Sequence, residues 1–268
     1  MTSVTVDRLS VEFRPKLSEP AVLALDDLSF EVGEGEILCL VGPSGCGKST
    51  VLNVLAGITK SKMDGSVAVS GKAVVDDSRG ASRGKSIGYM FQRDTLLPWL
   101  TTLDNVALPL RFQGVKDRAG IALGLLRTAG LEQFAKMYPN ALSGGMRKRV
   151  QLVQVLAQDP TVLLMDEPFG ALDAQTRLLM QLEFLAAWER DRKTVIFVTH
   201  DLNEAILVGD RIICMSARPG RAKFELPVSI KRPRSIETLA GTKEWVELYE
   251  SLWLALKDEA QIALSGRT

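Results

Sequence analysis

Apolar residues recur along this chain with two periods, and the switches between them mark out its elements. Residues 4–13 and 25–32 alternate apolar with polar, so each predicts a short strand with one face buried; joined by the polar, proline-bearing loop Arg14 to Pro20, they read as an antiparallel flap. The stretches Ile37–Val41, Ser86–Phe91, Val162–Met165 and Thr194–Val198 are instead nearly continuous apolar runs, the pattern of strands buried on both faces of a parallel sheet. Ser66–Val69 and Lys72–Val75 read as two further strands, with Met63-Asp64-Gly65 and Ser70-Gly71 as turns, before a polar, Gly/Ser-rich segment from Asp76 to Lys85. From Leu97 to Tyr138 the period becomes helical. Leu103, Val106, Ala107 and Leu110 share one face, Ile121, Leu125, Leu126 and Ala129 another, and Gly114 and Gly130 serve as stops. Met146, Val150, Val153 and Ala157 mark a third helix, Thr176 to Arg190 a fourth, and Trp245, Leu248, Leu252 and Leu256 a helical tail. The whole predicts an α/β fold: a mainly parallel sheet, an antiparallel β-subdomain at the N-terminus and an all-helical insertion standing off the sheet.

The apolar runs end at Gly42, Gln92, Asp166 and His200, and in an open α/β sheet ligands bind outside the carboxyl ends of the strands. At the first of these ends stands Gly42-Pro43-Ser44-Gly45-Cys46-Gly47-Lys48-Ser49-Thr50, between a strand and the helical run that opens at Val51. This is the phosphate-binding pattern G-x-x-x-x-G-K-[ST]. Its glycines let main-chain N–H groups form a nest with no Cβ in the way, and the helix behind adds bare N–H groups and the positive end of its dipole. In that geometry Lys48 lies along the β- and γ-phosphates and the Ser49 hydroxyl takes a coordination site on Mg²⁺, with Thr50 beside it. The plainer reading, a glycine-rich turn with a chance lysine, leaves the flanking strand and helix unexplained.

The other strand ends supply weaker signals that gain weight together. Gln92 can reach a metal, or its water, through the amide oxygen; alone it would read as a solvated residue. Asp166 is placed to hold Mg²⁺ and Glu167 to accept a proton from an attacking water, whereas a bare Asp-Glu pair more often caps the next segment of chain. His200 is the chain's one histidine, delivered by a strand to the same edge, though a lone histidine is usually structural. Leu142-Ser143-Gly144-Gly145-Met146 opens a helix that Ser143 is suited to cap, followed at once by Arg147, Lys148 and Arg149. Cations in a first turn oppose the helix dipole, so the segment reads either as a second anion site or as basic side chains solvated or salt-bridged. Phe13, at the end of the first strand, is either a ring on which a base stacks or a core phenylalanine. Leu96-Leu97-Pro98-Trp99, at the entrance to the helical insertion, reads as an exposed apolar patch of the kind that meets a partner.

Composition excludes several classes. With 33 Lys+Arg against 32 Asp+Glu the net charge is +1, so no broad basic field exists to attract nucleic acid. No run approaches the ~18 apolar residues of a spanning helix, and the N-terminus lacks a signal-peptide pattern, which predicts a cytoplasmic protein brought to a membrane only by a partner. Cys39, Cys46 and Cys214 show no metal-ligand spacing.

In this order the motifs resemble those of the ATP-binding subunits of ABC transporters, over nearly the whole chain to about Lys223. Gly42–Thr50 resembles Walker A, Gln92 the Q-loop glutamine, Leu142–Met146 the LSGG signature, Val162–Asp166 Walker B, Glu167 the catalytic glutamate, Leu172-Asp173 the D-loop and His200 the switch histidine. Walker A alone is common to many NTPases; the signature between it and the Asp-Glu pair is specific. Phe91-Gln92 through Leu96-Leu97-Pro98-Trp99 to Asp104-Asn105-Val106, with Met215–Arg221 later, is similar to importers of the nitrate, sulfonate and taurine type. The resemblance implies ATP and Mg²⁺ as cofactors, catalytic roles for Glu167, His200, Gln92 and Lys48, and a head-to-tail homodimer. In such a dimer Ser143, Gly144 and Gly145 of one chain bind the γ-phosphate held by the other, with Asp173 nearby and Phe13 under the adenine. It also implies a membrane permease seated on the Gln92 loop and the helical subdomain (about 97–158), an external solute-binding protein, residence on the cytoplasmic face of the inner membrane, and no nucleic acid. The ATPase domain would cover 1–225 and the tail 226–268. Lys148, Gln154 and Gly170 depart from the family's usual glutamine, arginine and serine, which predicts altered surface contacts. The rival is a soluble ABC ATPase acting on nucleic acid or ribosomes; a phosphotransferase would leave the signature unexplained.

Overall fold

The computed structural model of the chain describes residues 2–14, 18, 20–59, 66–75 and 87–265. In chain order, strands β1 (Thr2–Arg14), β2 (Val22–Gly33) and β3 (Ile37–Val41) are followed by helix α1 (Lys48–Leu55) and strands β4 (Ser66–Val75) and β5 (Ile87–Met90). Helices α2 (Thr102–Phe112), α3 (Arg118–Thr128) and α4 (Gly144–Leu156) precede strand β6 (Val162–Asp166), helix α5 (Ala174–Arg190) and strand β7 (Thr194–Thr199). Helix α6 (Leu202–Val208), strands β8 (Arg211–Met215) and β9 (Ala222–Pro227), and helices α7 (Ile236–Leu239) and α8 (Lys243–Ser265) complete the order. These elements form two compact units, Met1–Asp76 with Arg192–Thr268, and Asp77–Asp191.

In the first unit β3 lies between β7 and β8, parallel to both, with β9 antiparallel beyond β8. Every residue of β3 and β7 is buried, as their unbroken apolar runs require. The parallel register pairs Val41 with Thr199 and with Cys214, so the residues after all three strands emerge at one edge. The N-terminal sheet is antiparallel in the order β2-β1-β4. Here one expectation is corrected: residues 66–75 are a single strand, with no turn at Ser70-Gly71. Partners of β1 pass from Asp7↔Lys72 to Ser10↔Ser70, so one extra residue on β1 is absorbed as a bulge, where Arg8 takes φ 48° and β4 runs straight through. The expected turn at Met63–Gly65, the segment 76–85 and most of the loop 14–20 lie outside the described residues.

The tail packs into this unit. Trp245, Leu248, Leu252 and Leu256 are all buried, at the spacing the sequence shows, and Trp245 Nε1 donates to Asn203 Oδ1 on α6 at 3.2 Å. Each such side chain contributes about 1.5–3 kcal/mol by burial, enough to hold α8 on the body. The buried Arg234 donates to the carbonyls of Ile206 and Gly209 at the end of α6; burial, with Arg232 beside it, pulls its pKa down to about 10.

In the second unit β5 and β6 pair in parallel, and α2, α3 and α4 close over a core that includes Val106, Leu110, Leu126, Val150 and Val153. Gly114 and Gly130 end their helices at φ 71° and 68°, as expected of residues without a Cβ. Two details differ from the sequence reading. On α3 the core-facing side carries buried Ala122 and Leu126 with Leu123, Leu125 and Ala129 packed beside them, while Ile121 lies off that side and is exposed. In the segment before α2, Leu96 is buried and Leu97 half-buried, while Pro98 and Trp99 are exposed, Trp99 at 70%. The fully buried Asn105 explains this: its amide nitrogen donates to the carbonyls of Leu97, Leu100 and Thr101 and its oxygen accepts from Leu97 N–H, so one side chain folds residues 97–101 back onto the unit.

Candidate functional site

The first unit supplies the phosphate loop. β3 delivers Gly42, and α1 begins at Lys48 behind Gly47, whose φ of 102° suits a residue without a side chain. Helix α1 has no side-chain cap and no acidic residue in its first turn, so its N–H groups are left to the loop's concavity. Lys48 is buried at 6% exposure, its Nζ donating to the carbonyls of Gly42 at 2.8 Å and Pro43 at 3.0 Å. These bonds hold the ammonium across the loop. The loop is also wedged from outside: a Cβ on Gly47 would stand 2.6 Å from Leu25 Cδ2 and 2.9 Å from the Ala24 carbonyl, and one on Gly42 would stand 3.0 Å from the Met215 carbonyl. Burial pushes the Cys46 thiol pKa up, against the pull of Lys48, so Cys46 is packing rather than a reactive thiolate. His200 follows the end of β7, exposed, at the same edge as Gly42. Phe13, next to last in β1, is half-buried and paired in register with Val22.

The second unit supplies the carboxylates. Met90 pairs with Met165, so Gln92 and Glu167 leave their strands side by side, and Gln92 Nε2 donates to Glu167 Oε2 at 2.9 Å. Asp166, the last residue of β6, is 8% exposed. Glu167 takes φ 42°, uncommon for a residue with a Cβ and characteristic of sites where side-chain direction matters. Asp173 caps α5 by accepting from Thr176 N–H at 3.0 Å. Ser143 caps α4 through Met146 N–H at 3.2 Å, leaving Ser143 and Gly144 exposed at the helix start. Gly145 sits close against α5, where a Cβ would come within 2.7 Å of Thr176 Cγ2.

The cations after the signature serve this unit internally, the salt-bridged reading of the two that the sequence left open. Arg147 pairs with Asp94 at 2.8 Å and Arg149 with Glu183 at 2.9 Å. Lys148 is buried, its Nζ donating to the carbonyls of Gln92 at 2.7 Å and Phe91 at 3.2 Å and to Gln151 Oε1 at 3.1 Å. Gln151 in turn donates to the carbonyls of Phe91 and Arg93 and to Thr95 Oγ1. Burial lowers the Lys148 pKa, and the carboxylates of Asp94 and Asp166 oppose the shift. Lys148 and Gln154, expected to alter surface contacts, are therefore structural: Gln154 donates to the Asn105 carbonyl at 2.9 Å. The loop after Gln92 is thus stapled to the helix that begins with Ser143. Sequence spacing carried no signal for Lys148 or Gln151 in that role, since the partners lie 56 or more residues away.

The fold and the phosphate loop define a P-loop ATPase. The chain belongs to the ABC transporter family, whose model matches residues 25–170. It is 47% identical over 225 residues to a taurine import ATP-binding protein of Rhizobium johnstonii, covering 82% of this chain and 83% of that protein. It is 41% identical over 257 residues to an ABC transporter ATP-binding protein of Methanocaldococcus jannaschii, covering 94% and 92%. Among solved structures it is similar to a dimeric ATP-binding cassette in a post-hydrolysis state with ADP and Pi, with a TM-score of 0.68 and 34% identity over 85% of this chain and all of that one. No described helix is long and apolar enough to cross a membrane.

Proposed function

We propose that the chain is the ATP-hydrolysing subunit of an import system, working as a head-to-tail homodimer beneath a membrane permease. Each site in that dimer combines Gly42–Thr50 of one copy with Ser143, Gly144 and Gly145 of the other, Asp173 adjoining and Phe13 stacking on the adenine. The observation that carries the reading is the Gln92–Glu167 hydrogen bond, which ties the proposed catalytic base to the loop through which a permease would act.

The residues offered to Mg²⁺, Ser49, Gln92 and Asp166, are all oxygen donors, the set a hard cation bound with a triphosphate requires; among the described residues no His/Cys/Asp/Glu cluster suggests another metal. Bound there, Mg²⁺ would neutralise phosphate charge as the β–γ bond loosens. Lys48 holds the β- and γ-phosphates, His200 donates to the γ-phosphate, and Glu167 takes the proton from water as its oxygen bonds to the γ-phosphorus and the bridging bond breaks to release ADP. Gln92, bonded to Glu167 through its amide nitrogen, keeps that carboxylate aimed. Positioning and charge neutralisation supply most of the rate.

The surface around Trp99 and α2 is proposed to receive the permease, which would hold the protein at the cytoplasmic face of the inner membrane. The likeness to a taurine import protein and the motif pattern favour a small sulfonate or similar anion as solute, delivered by an external binding protein. Replacing Glu167 by Gln tests the mechanism: turnover falls by a factor of ~10²–10⁴, the usual weight of a general base, while ATP still dimerises the protein on gel filtration. Wild-type turnover in that variant removes Glu167 from the reaction, and co-purification with nucleic acid instead of a permease would favour the non-transport rival.

A further inference from the structure

The phosphate loop has a second support that the motifs do not mention, built from residues 216–221 between β8 and β9. That segment is a closed turn: Ser216 N–H donates to the Arg221 carbonyl at 3.0 Å, Arg221 N–H to Ser216 Oγ at 3.0 Å, and Ser216 Oγ to the Pro219 carbonyl at 2.9 Å. It is fastened to β2 by Gly220 N–H on the Ala24 carbonyl at 2.9 Å, by Asp26 N–H on the Gly220 carbonyl at 3.1 Å, and by the Arg221–Asp26 ion pair. It is fastened to α8 by Glu259, 8% exposed, whose carboxylate accepts from Ala217 N–H at 2.7 Å and from Lys223 Nζ at 2.8 Å.

Held on both sides, the turn presses on the phosphate loop at two points. Arg218 donates from Nε and Nη2 to the Gly45 carbonyl at 3.3 and 3.2 Å. Gly220 lies so close that a Cβ there would stand 2.0 Å from the Cys46 carbonyl. A phosphate nest turns its N–H groups inward, so its carbonyls face out and need donors of their own. Gly45, at φ 79° and with no side chain, cannot fix its own peptide plane; the arginine fork does so from outside.

We infer that Arg218 and Glu259 are positioning residues of the nucleotide site: Glu259 on the C-terminal helix sets the 216–221 turn, and Arg218 on that turn sets the Gly45–Cys46 peptide of the phosphate loop. This assigns the C-terminal helix a part in ATP binding, and it rests on the reading of Gly42–Thr50 as the triphosphate site.

The test measures ATP affinity and steady-state kinetics of the full chain with Mg-ATP. Arg218→Ala raises KM for ATP ~10-fold, the size of one charge-assisted hydrogen bond, with kcat within ~3-fold of wild type. Arg218→Lys recovers part of the affinity. Glu259→Ala raises KM by ~3–10-fold, and Glu259→Gln, which keeps an acceptor for Ala217 N–H, restores most of it. A purely structural role would lower the unfolding temperature without separating KM from kcat. Wild-type ATP affinity in Arg218→Ala or in Glu259→Ala, with Lys48→Ala deficient in ATP binding, overturns the inference and leaves the site standing. Wild-type ATP affinity in Lys48→Ala overturns the site itself and this inference with it.

Discussion

The two units hold their candidate residues by different means. In the first, main chain does the shaping: glycines at positive φ, Lys48 bonded to its own loop's carbonyls, and β2 and the 216–221 turn packed so close that a single Cβ would not fit. In the second, long side chains do it: Lys148, Gln151, Arg147 and Asn105 reach to backbone and carboxylates to hold the loops, and Gln92 holds Glu167. A backbone cradle suits a triphosphate that must be met the same way each cycle. Side-chain staples tie the Gln92 loop to the signature helix, a connection the proposed coupling to a permease requires.

The contrast predicts a graded set of outcomes. Gly47→Ala breaks the backbone half outright: at φ 102° the added methyl meets Leu25 and the Ala24 carbonyl, and ATP binding measured by titration calorimetry falls by a factor of ~100 or more, since an incompatible φ and a clash each cost about 1–3 kcal/mol. A smaller effect comes from Lys148→Met on the side-chain half. It removes the Lys148 donor from the Gln92 carbonyl and leaves the Phe91 carbonyl with Gln151 alone, lowering stability by about 1–3 kcal/mol in denaturant titration, and it reduces ATPase activity while nucleotide affinity stays near wild type.

Acid should separate the units further. Burial pushes the Glu259 pKa up, but its bonds to Lys223 and Ala217 N–H outweigh that and hold it below the ordinary 4.5. A lowered folded-state carboxylate pKa means that Glu259 adds stability which is complete above 4.5 and is lost as pH falls through the folded value. Unfolding curves of Glu259→Gln therefore depend less on pH below 4.5 than those of wild type. The smallest effect is expected at Gly170, where serine is usual in the family. A Cβ there meets the Glu167 carbonyl and carboxylate at 3.6 Å, an ordinary contact, so Gly170→Ser changes turnover by less than ~3-fold.

The same contrast explains what could be read in the chain beforehand. The phosphate loop, the buried strands and the strand-end Asp166, Glu167 and His200 are local patterns, each carried by a few consecutive residues whose spacing has a physical reason. The staples are not local. Arg147, Lys148 and Arg149 looked like three cations at a helix start, because a sequence shows charge but not the carbonyls folded onto it from far along the chain. Ser70-Gly71 looked like a turn because the bulge that lets β4 run straight belongs to β1. The part played by the 216–221 turn was hidden for the same reason: Arg218 and Gly45 lie 173 residues apart.

The account stands on one arrangement, a site whose lysine and signature serine come from different copies, and mixing two inactive variants tests it most directly. Lys48→Ala and Ser143→Arg are each expected to lack ATPase activity alone. Mixed, they form heterodimers in which one site carries both lesions and the other carries neither, so activity returns as the two are combined. If every mixing ratio stays as inactive as the separate variants, while wild-type chain added to either remains active, the site is not shared between copies and the proposed dimer mechanism is wrong.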